Sequence, residues 1–363
     1  MAPADTVRRR LAVVADDLTG AADAAAPFAA RGLDVSVALS DTAPQDVEVL
    51  ALVTDSRWRP APEAAERMRA AVSRVRAWRP EMLFVKIDST LRGRVRADVC
   101  VALDAWGSTD AVATPAFPAQ GRTVREGALV VHGETTVARI DDHFPDGVRV
   151  VDAESHDGLV RTARGIVDDG AVAVGSGGLA RALADVLVPT PRPRRGTRAT
   201  VTGVLLVVGT AHAATRGQVS TLLAAGAQLV VVATSTSTPS PVDAATAALH
   251  DGRRVVLTCE VVGEVEPDSC QAAALAEDLA RVVRAVVAAA PSVGLVLTGG
   301  ATALAVATAL GALELRLLSE VAEGLPLGEM VVGDRRIPVV TKSGGFGARD
   351  ALCRAAEALE DCA

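Results

Sequence analysis

The chain has 363 residues, half of them apolar and 22% charged, which excludes wholesale disorder and is long enough for two domains. A net charge of −7 counts against a nucleic-acid surface. With 2% aromatics and no tyrosine, a base-stacking surface or an aromatic sugar platform is also disfavoured.

The N-terminus carries basic residues before an apolar run of about five that meets two aspartates, too short for a secretory signal. Short apolar runs then alternate with helix-like segments. Candidate strands cover 11–15, 33–39, 47–53, 83–87, 110–114, 148–151 and 171–174, with Ala-rich helices over 61–78 and 94–106. Segment 121–147 is poorer in pattern and reads as a loop or hairpin over the sheet. Residues 189–200, with three prolines and four arginines, form the best linker. Beyond it the alternation restarts. Strands are expected at 203–208, 228–233, 253–258, 293–298 and 337–341, and helices near 213–225, 269–289, 301–310 and 348–361. The fold class is therefore α/β: two domains, 1–188 and 201–363, with largely parallel sheets and a cleft between them. No internal repeat or heptad run is present.

Five cysteines, an odd number with no C-x-x-C, give no disulfide framework or zinc knuckle and fit a reducing cytoplasm. The histidines lack metal-ligand spacing, so no side-chain metal site is expected. Arg281 and Arg284 interrupt the apolar stretch 279–290, which argues against a membrane span.

Ligands in parallel α/β sheets bind beyond the carboxyl ends of strands, so those ends carry the functional signal. After the first strand come Asp16, Asp17, Leu18, Thr19 and Gly20. Asp17 or Thr19 suits a helix cap, but two adjacent carboxylates repel unless a cation or hydroxyls satisfy them. After the fourth come Lys86, Asp88, Ser89, Thr90, Arg92 and Gly93. Strand alternation aims Lys86 and Asp88 the same way, and Arg92 offers a fork for a carboxylate or phosphate. The set suits a small, anionic, hydroxylated ligand; the bland alternative is a salt-bridge network with a helix cap. The loop 114–123, fixed by Pro115, Pro118 and Gly121, brings Gln120, Arg122 and Thr123 to a polar tip that closes over a ligand in this reading.

In the second half three strand-to-helix loops are glycine-rich: Gly209, Thr210 and His212; Gly299, Gly300, Ala301 and Thr302; and Lys342, Ser343, Gly344, Gly345 and Gly347. Glycines let backbone approach a phosphate, and helix N-termini supply N–H donors. Three such loops point to a nucleotide; the alternative is tight turns in a compact sheet. No P-loop and no G-x-G-x-x-G after the first strand is present, which disfavours a dinucleotide-dependent dehydrogenase. Only two of the 37 basic residues are lysines, Lys86 and Lys342, and each closes a strand before a polar, glycine-containing loop. Where arginine replaces lysine generally, the survivors mark sites that want a compact ammonium.

Together these motifs resemble the four-carbon acid sugar kinase family over nearly the whole chain. The resemblance rests on VVADDLTGAADAA at 13–25, KIDSTLRG at 86–93, TPAFPAQGRTV at 114–124, VVGTAHAATRGQV at 207–219, LTGGATALAV at 297–306 and VVTKSGGFGARDAL at 339–352. It implies an ATP- and Mg2+-dependent kinase that phosphorylates the terminal hydroxyl of threonate, erythronate or 3-oxo-tetronate. Asp16, Asp17, Lys86, Asp88, Ser89, Thr90, Arg92 and Gly93 would then form the substrate site. Thr210, His212, Gly299, Gly300, Ala301, Thr302, Lys342 and the 343–347 loop would form the nucleotide site. The partners implied are the acid and ATP, with neither nucleic acid nor membrane; a homodimer stays open. Catalysis would fall to Lys86 with Asp16 or Asp88 orienting and deprotonating the hydroxyl, and Arg92 with Lys86 or Ser89 would take the acid's carboxylate. Ala301 stands where the family usually has an acidic residue, which keeps a non-catalytic sensor of nucleotide and sugar acid as the alternative.

Overall fold

The computed structural model describes residues 10–41, 46–193, 200–232, 240–259 and 269–361. Its N-terminal half begins with β1 (Leu11–Ala15), α1 (Leu18–Ala30), β2 (Val35–Ala38), β3 (Val49–Val53), α2 (Ala61–Ala77), β4 (Met82–Lys86), α3 (Val95–Trp106) and β5 (Ala111–Thr114). The weakly patterned segment that follows forms a small antiparallel sheet of β6 (Arg122–Arg125), β7 (Ala128–Val131) and β8 (Glu134–Val137). The half closes with β9 (Arg149–Val150), α4 (His156–Asp169), β10 (Val172–Gly175) and α5 (Gly177–Leu187). The C-terminal half runs β11 (Gly203–Val208), α6 (Ala213–Ala224), β12 (Gln228–Val232), α7 (Pro241–His250), β13 (Val255–Cys259), α8 (Ser269–Ala289), β14 (Val293–Thr298) and α9 (Gly300–Leu310). It ends in β15 (Glu314–Ala322), β16 (Leu325–Val332), β17 (Arg335–Lys342) and α10 (Ala351–Glu360).

Local chemistry explains these elements. The central strands are continuous Val, Leu and Ala runs, buried along their length because helices cover both faces. Helix α4 instead carries a stripe of Leu159, Ala163 and Ile166 toward the core, starts at the Ser155 cap and stops at Gly170 in the left-handed conformation. Helix α1 is buried on every side from Leu18 to Ala29. Its run of alanines allows that, since small side chains let neighbouring elements approach all round.

Two expectations need correction. The halves do not form separate sheets: among the described residues fourteen strands join in one, in the order β12-β13-β11-β14-β17-β16-β15-β2-β3-β1-β4-β10-β5-β9. The join is an antiparallel pairing of Glu314–Leu317 with Val35–Ala38. The parallel strands of the two halves therefore run in opposite directions, and β15–β17 make an antiparallel meander between them. Strands β15 and β16 lie outside every strand expected above. The start of β15 alternates buried Leu315 and Leu317 with polar Glu314 and Arg316, a half-buried pattern that a search for continuous apolar runs passes over. The linker also differs. Arg192 bonds the Arg31 carbonyl through its amide and pairs with Glu48 at 2.8 Å, so the first part of 189–200 is tied to the N-terminal half. Residues 194–199 lie outside the described residues. Among the described residues no helix is long and apolar enough to cross a membrane.

Candidate active site

The acid pair after β1 divides its work. Asp17 caps α1, accepting the Gly20 amide at 2.5 Å and the Thr19 hydroxyl at 3.0 Å. Asp16 accepts two bonds from Arg57, both 2.7 Å, and a third arm of the same guanidinium reaches Asp17 at 2.5 Å. Arg57 also lies 3.8 Å from Asp88. Sequence reasoning missed Arg57. It stands in Thr54-Asp55-Ser56-Arg57, directly after β3, so the strand-end rule applied to that strand would have found it. An isolated arginine in a chain this rich in arginine carries no signal of its own.

Burial raises the Asp16 carboxyl against the pull of Arg57. For Asp17, burial is outweighed by Arg57, Lys86 and the Gly20 amide, which hold its carboxyl below the usual range. Two neighbouring acids on one guanidinium thus end with different proton affinities.

At the end of β4, Lys86 and Asp88 do not share surroundings, because the strand stops at Lys86. Lys86 is buried, donates to the Ile87 carbonyl at 2.9 Å, and exerts its charge on Asp16, Asp17 and Asp23. Asp88 turns to Thr90, at 2.5 Å, and to Arg92, at 2.6 Å. Burial opposes its ionisation, yet the Arg92 hydrogen bond and Arg57 hold its carboxyl far below the usual range. Ser89 is buried nearby, and Gly93, at φ +87°, adopts the left-handed turn that brings it beside Arg57 and Asp16. Asp23, a second residue missed, is buried on α1, and burial pushes its carboxyl up to about 7, only partly countered by Lys86. A lone acid within an alanine-rich helix was its only trace in the sequence.

In the C-terminal half the three glycine-rich loops pack onto one another. A Cβ on Gly209 would strike Thr302 Oγ1, and one on Gly344 would come within 2.6 Å of Thr210 Oγ1. Helix α9 starts at Gly299, at φ +94°, with no side chain capping its first turn. Lys342 is buried and donates to Thr215 Oγ1 and to the carbonyls of Ser343, Gly344 and Phe346, at 2.9–3.2 Å. Gln218 on α6 adds bonds to the carbonyls of Phe346, Gly347 and Ala348, each 3.0 Å. The loop's carbonyls are thereby drawn inward. His212 caps α6, accepting the Ala214 amide at 3.2 Å, and its ring lies against Gly345. Ala301 lines an open groove of about 900 Å³ between α8 and α9, walled by alanines such as Ala276, Ala280 and Ala305, with Arg59 and Arg281 at its rim.

The two sets of loops touch. A Cβ on Gly300 would lie 2.9 Å from the Asp17 side chain, and Ser343 bonds Thr19 at 3.2 Å. Gln120 donates to the Glu323 carbonyl at 2.9 Å, and Phe117 meets Phe346 edge to face at 5.6 Å. The polar tip of 114–123 therefore rests on the 343–347 loop. A cluster of buried carboxylates and cations thus abuts an uncapped helix N-terminus and the glycine-rich 343–347 loop.

Residues 11–145 match the family described as a sugar-binding N-terminal domain, and residues 205–352 the one described as a nucleotide-binding C-terminal domain. The chain is 36% identical to the D-threonate kinase of Bordetella bronchiseptica, over 97% of this chain and 98% of the relative. It is 30% identical to the D-threonate kinase of Salmonella typhimurium, over 97% and 99%, and 28% identical to the D-erythronate kinase of Heliobacterium modesticaldum, over 96% of each. The crystal structure of a Salmonella typhimurium LT2 protein described as a putative tRNA synthase shares the fold, with a TM-score of 0.73 at 19% identity over 95% of this chain and 98% of that one. The chain belongs to the four-carbon acid sugar kinase family and is a sugar-acid kinase, a phosphotransferase with an alcohol acceptor.

Proposed function

We propose that the protein transfers the γ-phosphoryl group of ATP to the terminal hydroxyl of a four-carbon sugar acid such as threonate, erythronate or 3-oxo-tetronate. In this reading residues 1–188 hold the acid and residues 201–363 hold ATP. The observation that carries it is the abutment of Gly300, at the uncapped start of α9, on Asp17, in the acid cluster. Anions are stabilised at helix N-termini, so the transferable phosphate has a place beside the carboxylates that orient an acceptor hydroxyl.

Each residue then has a task. Asp16, whose carboxyl burial raises, accepts the hydroxyl proton. Asp88, held ionised by Arg92 and Arg57, is too weak a base for that step and instead accepts hydrogen bonds from the substrate's hydroxyls. Lys86 tempers the charge of Asp16 and Asp17 as the phosphate approaches. Arg92, half-exposed at the rim, meets the carboxylate with Ser89. Thr210, Thr302 and the amides of 300–302 and 343–345 take the phosphates, and the groove beginning at Ala301 has room for the nucleoside. Lys342 acts at one remove, by shaping the 343–347 loop.

The carboxylates of Asp16 and Asp17 are engaged by Arg57, Thr19 and the Gly20 amide, so a magnesium ion would be held chiefly by the phosphates, as such ions commonly are. Bound there, Mg2+ would neutralise charge on the phosphates. The test is ADP release from ATP with a panel of three- to six-carbon sugar acids. Stimulation by four-carbon acids is expected; binding of ATP and acid without stimulation by any of them would favour the non-catalytic sensor that Ala301 suggested.

A further inference from the structure

Arg122 carries a charge that the protein itself does not answer. It is 6% exposed, and among the described residues it forms no salt bridge. One arm donates to the Gln120 carbonyl, a neutral acceptor, while its buried Nε has no hydrogen-bond partner. The guanidinium stacks over Phe346, its carbon 5.1 Å from the ring centroid. Its backbone is fixed as well: Phe117 and Arg122 exchange amide-to-carbonyl bonds of 2.8 and 3.1 Å at the start of β6. The side chain is thus held between the 343–347 loop of one half and the acid cluster of the other.

The carboxylates whose charge reaches it are committed elsewhere. Asp88 is bonded to Arg92 and Thr90, and burial pushes Asp23 toward its neutral form. Burial depresses the pKa of Arg122, and Arg92, a like charge, works against it further. A buried cation without a counter-ion is costly in a folded protein, and such a cost is retained where a ligand supplies the missing anion.

We propose that Arg122 binds an oxyanion of the reactants at the junction of the two halves. Two reactants offer that chemistry: the carboxylate of the sugar acid, and the phosphoryl group during transfer. A planar guanidinium suits either, since both present paired oxygens. The proposal rests on the kinase reading above and adds to it a residue on the loop that rests on both sites.

The experiment compares wild type with Arg122→Gln in three measurements: thermal denaturation without ligand, D-threonate affinity by calorimetry without ATP, and the single-turnover rate at saturating ATP and acid. Without ligand the variant should melt no lower than wild type, because it loses an unanswered buried charge. If the carboxylate is the partner, D-threonate affinity falls at least about 30-fold; if the phosphoryl group is, affinity holds and the single-turnover rate falls at least about 100-fold. Unchanged affinity and rate overturn the proposal. Should the variant melt lower and lose function together, Arg122→Lys decides. Partial recovery of affinity or rate by the retained charge supports an oxyanion partner, and recovery of melting temperature alone makes Arg122 a structural residue. Wild-type enzyme that phosphorylates no sugar acid refutes the kinase reading instead, and shows this before any variant is compared.

Discussion

The only two lysines of the chain occupy equivalent places and do different work. Each closes a strand with a parallel neighbour, each is buried, and each precedes a polar loop. Lys86 sits among carboxylates and spends one bond on a carbonyl; Lys342 meets four oxygens, three of them backbone carbonyls. The first is placed for its charge, the second for its three donors. Burial pushes the Lys342 pKa down to about 7 without weakening its role as a donor, whereas in the proposed reaction Lys86 is needed for its positive field.

Substitutions break this comparison in graded ways. The largest effect belongs to the acid environment that Lys86 shares with Arg57. Arg57→Met leaves Asp16 and Asp17 buried with one cation fewer, and should cost about 3–5 kcal/mol of stability by urea denaturation. A loss below about 1 kcal/mol would mean that the cluster is solvated. Next comes Lys342→Met. It removes one donor from three carbonyls and a hydroxyl, but Gln218, Thr215 and the Phe346 amide still serve those carbonyls, so the cost should stay at about 1–3 kcal/mol in all. ATP affinity should fall with stability, since the loop loses its shape; calorimetry with intact affinity would refute the shaping role. Lys342→Arg should not restore it, because the planar fork cannot point at four converging oxygens.

Lys86→Met should spare ATP affinity and lower kcat by at least about 100-fold, since its charge acts on Asp16 and Asp17 beside the reacting groups. A variant with a raised ATP KM and unchanged kcat would merge the two lysines into one role. The smallest effect is on pH dependence. The Asp23 carboxyl titrates near 7 in the folded protein against an ordinary 3.8, so the fold binds a proton that the unfolded chain releases across that interval. The stability cost is fully present above about pH 7 and relieved as pH falls toward 3.8. Asp23→Asn should therefore melt close to wild type at the acid end of this range and above it at pH 8. A gap that does not change with pH would place Asp23 among ordinary solvated acids.

Much of this layout is legible in the sequence, and the reasons differ by feature. The strand ends and their loops can be read because a buried parallel strand is a local apolar run and its ligand residues follow at once. That brought out Asp16, Asp17, Lys86, Asp88 and the three glycine loops without any long-range information. Arg57 stands at a strand end that the same rule reaches only when it is applied to β3, whereas Asp23 and Gln218 lie inside helices and work through partners distant in sequence. The fusion of two sheets into one escaped for the same reason, since pairing Glu314–Leu317 with Val35–Ala38 joins segments nearly the whole chain apart. Lys342 was found as a nucleotide-site candidate, and the structure adds its bonds to Thr215 and to the carbonyls of Ser343, Gly344 and Phe346, which the loop's composition does not reveal.

The central claim is that the acid's terminal hydroxyl faces the phosphate cradle where Asp17 meets Gly300. Phosphorus NMR of the products from wild-type enzyme, Mg-ATP and each four-carbon acid tests it most directly. The account predicts ADP and a phosphomonoester whose resonance is split by two methylene protons, which places the phosphate on the terminal carbon. A signal split by a single proton, or inorganic phosphate as the only new species with every acid, would contradict it.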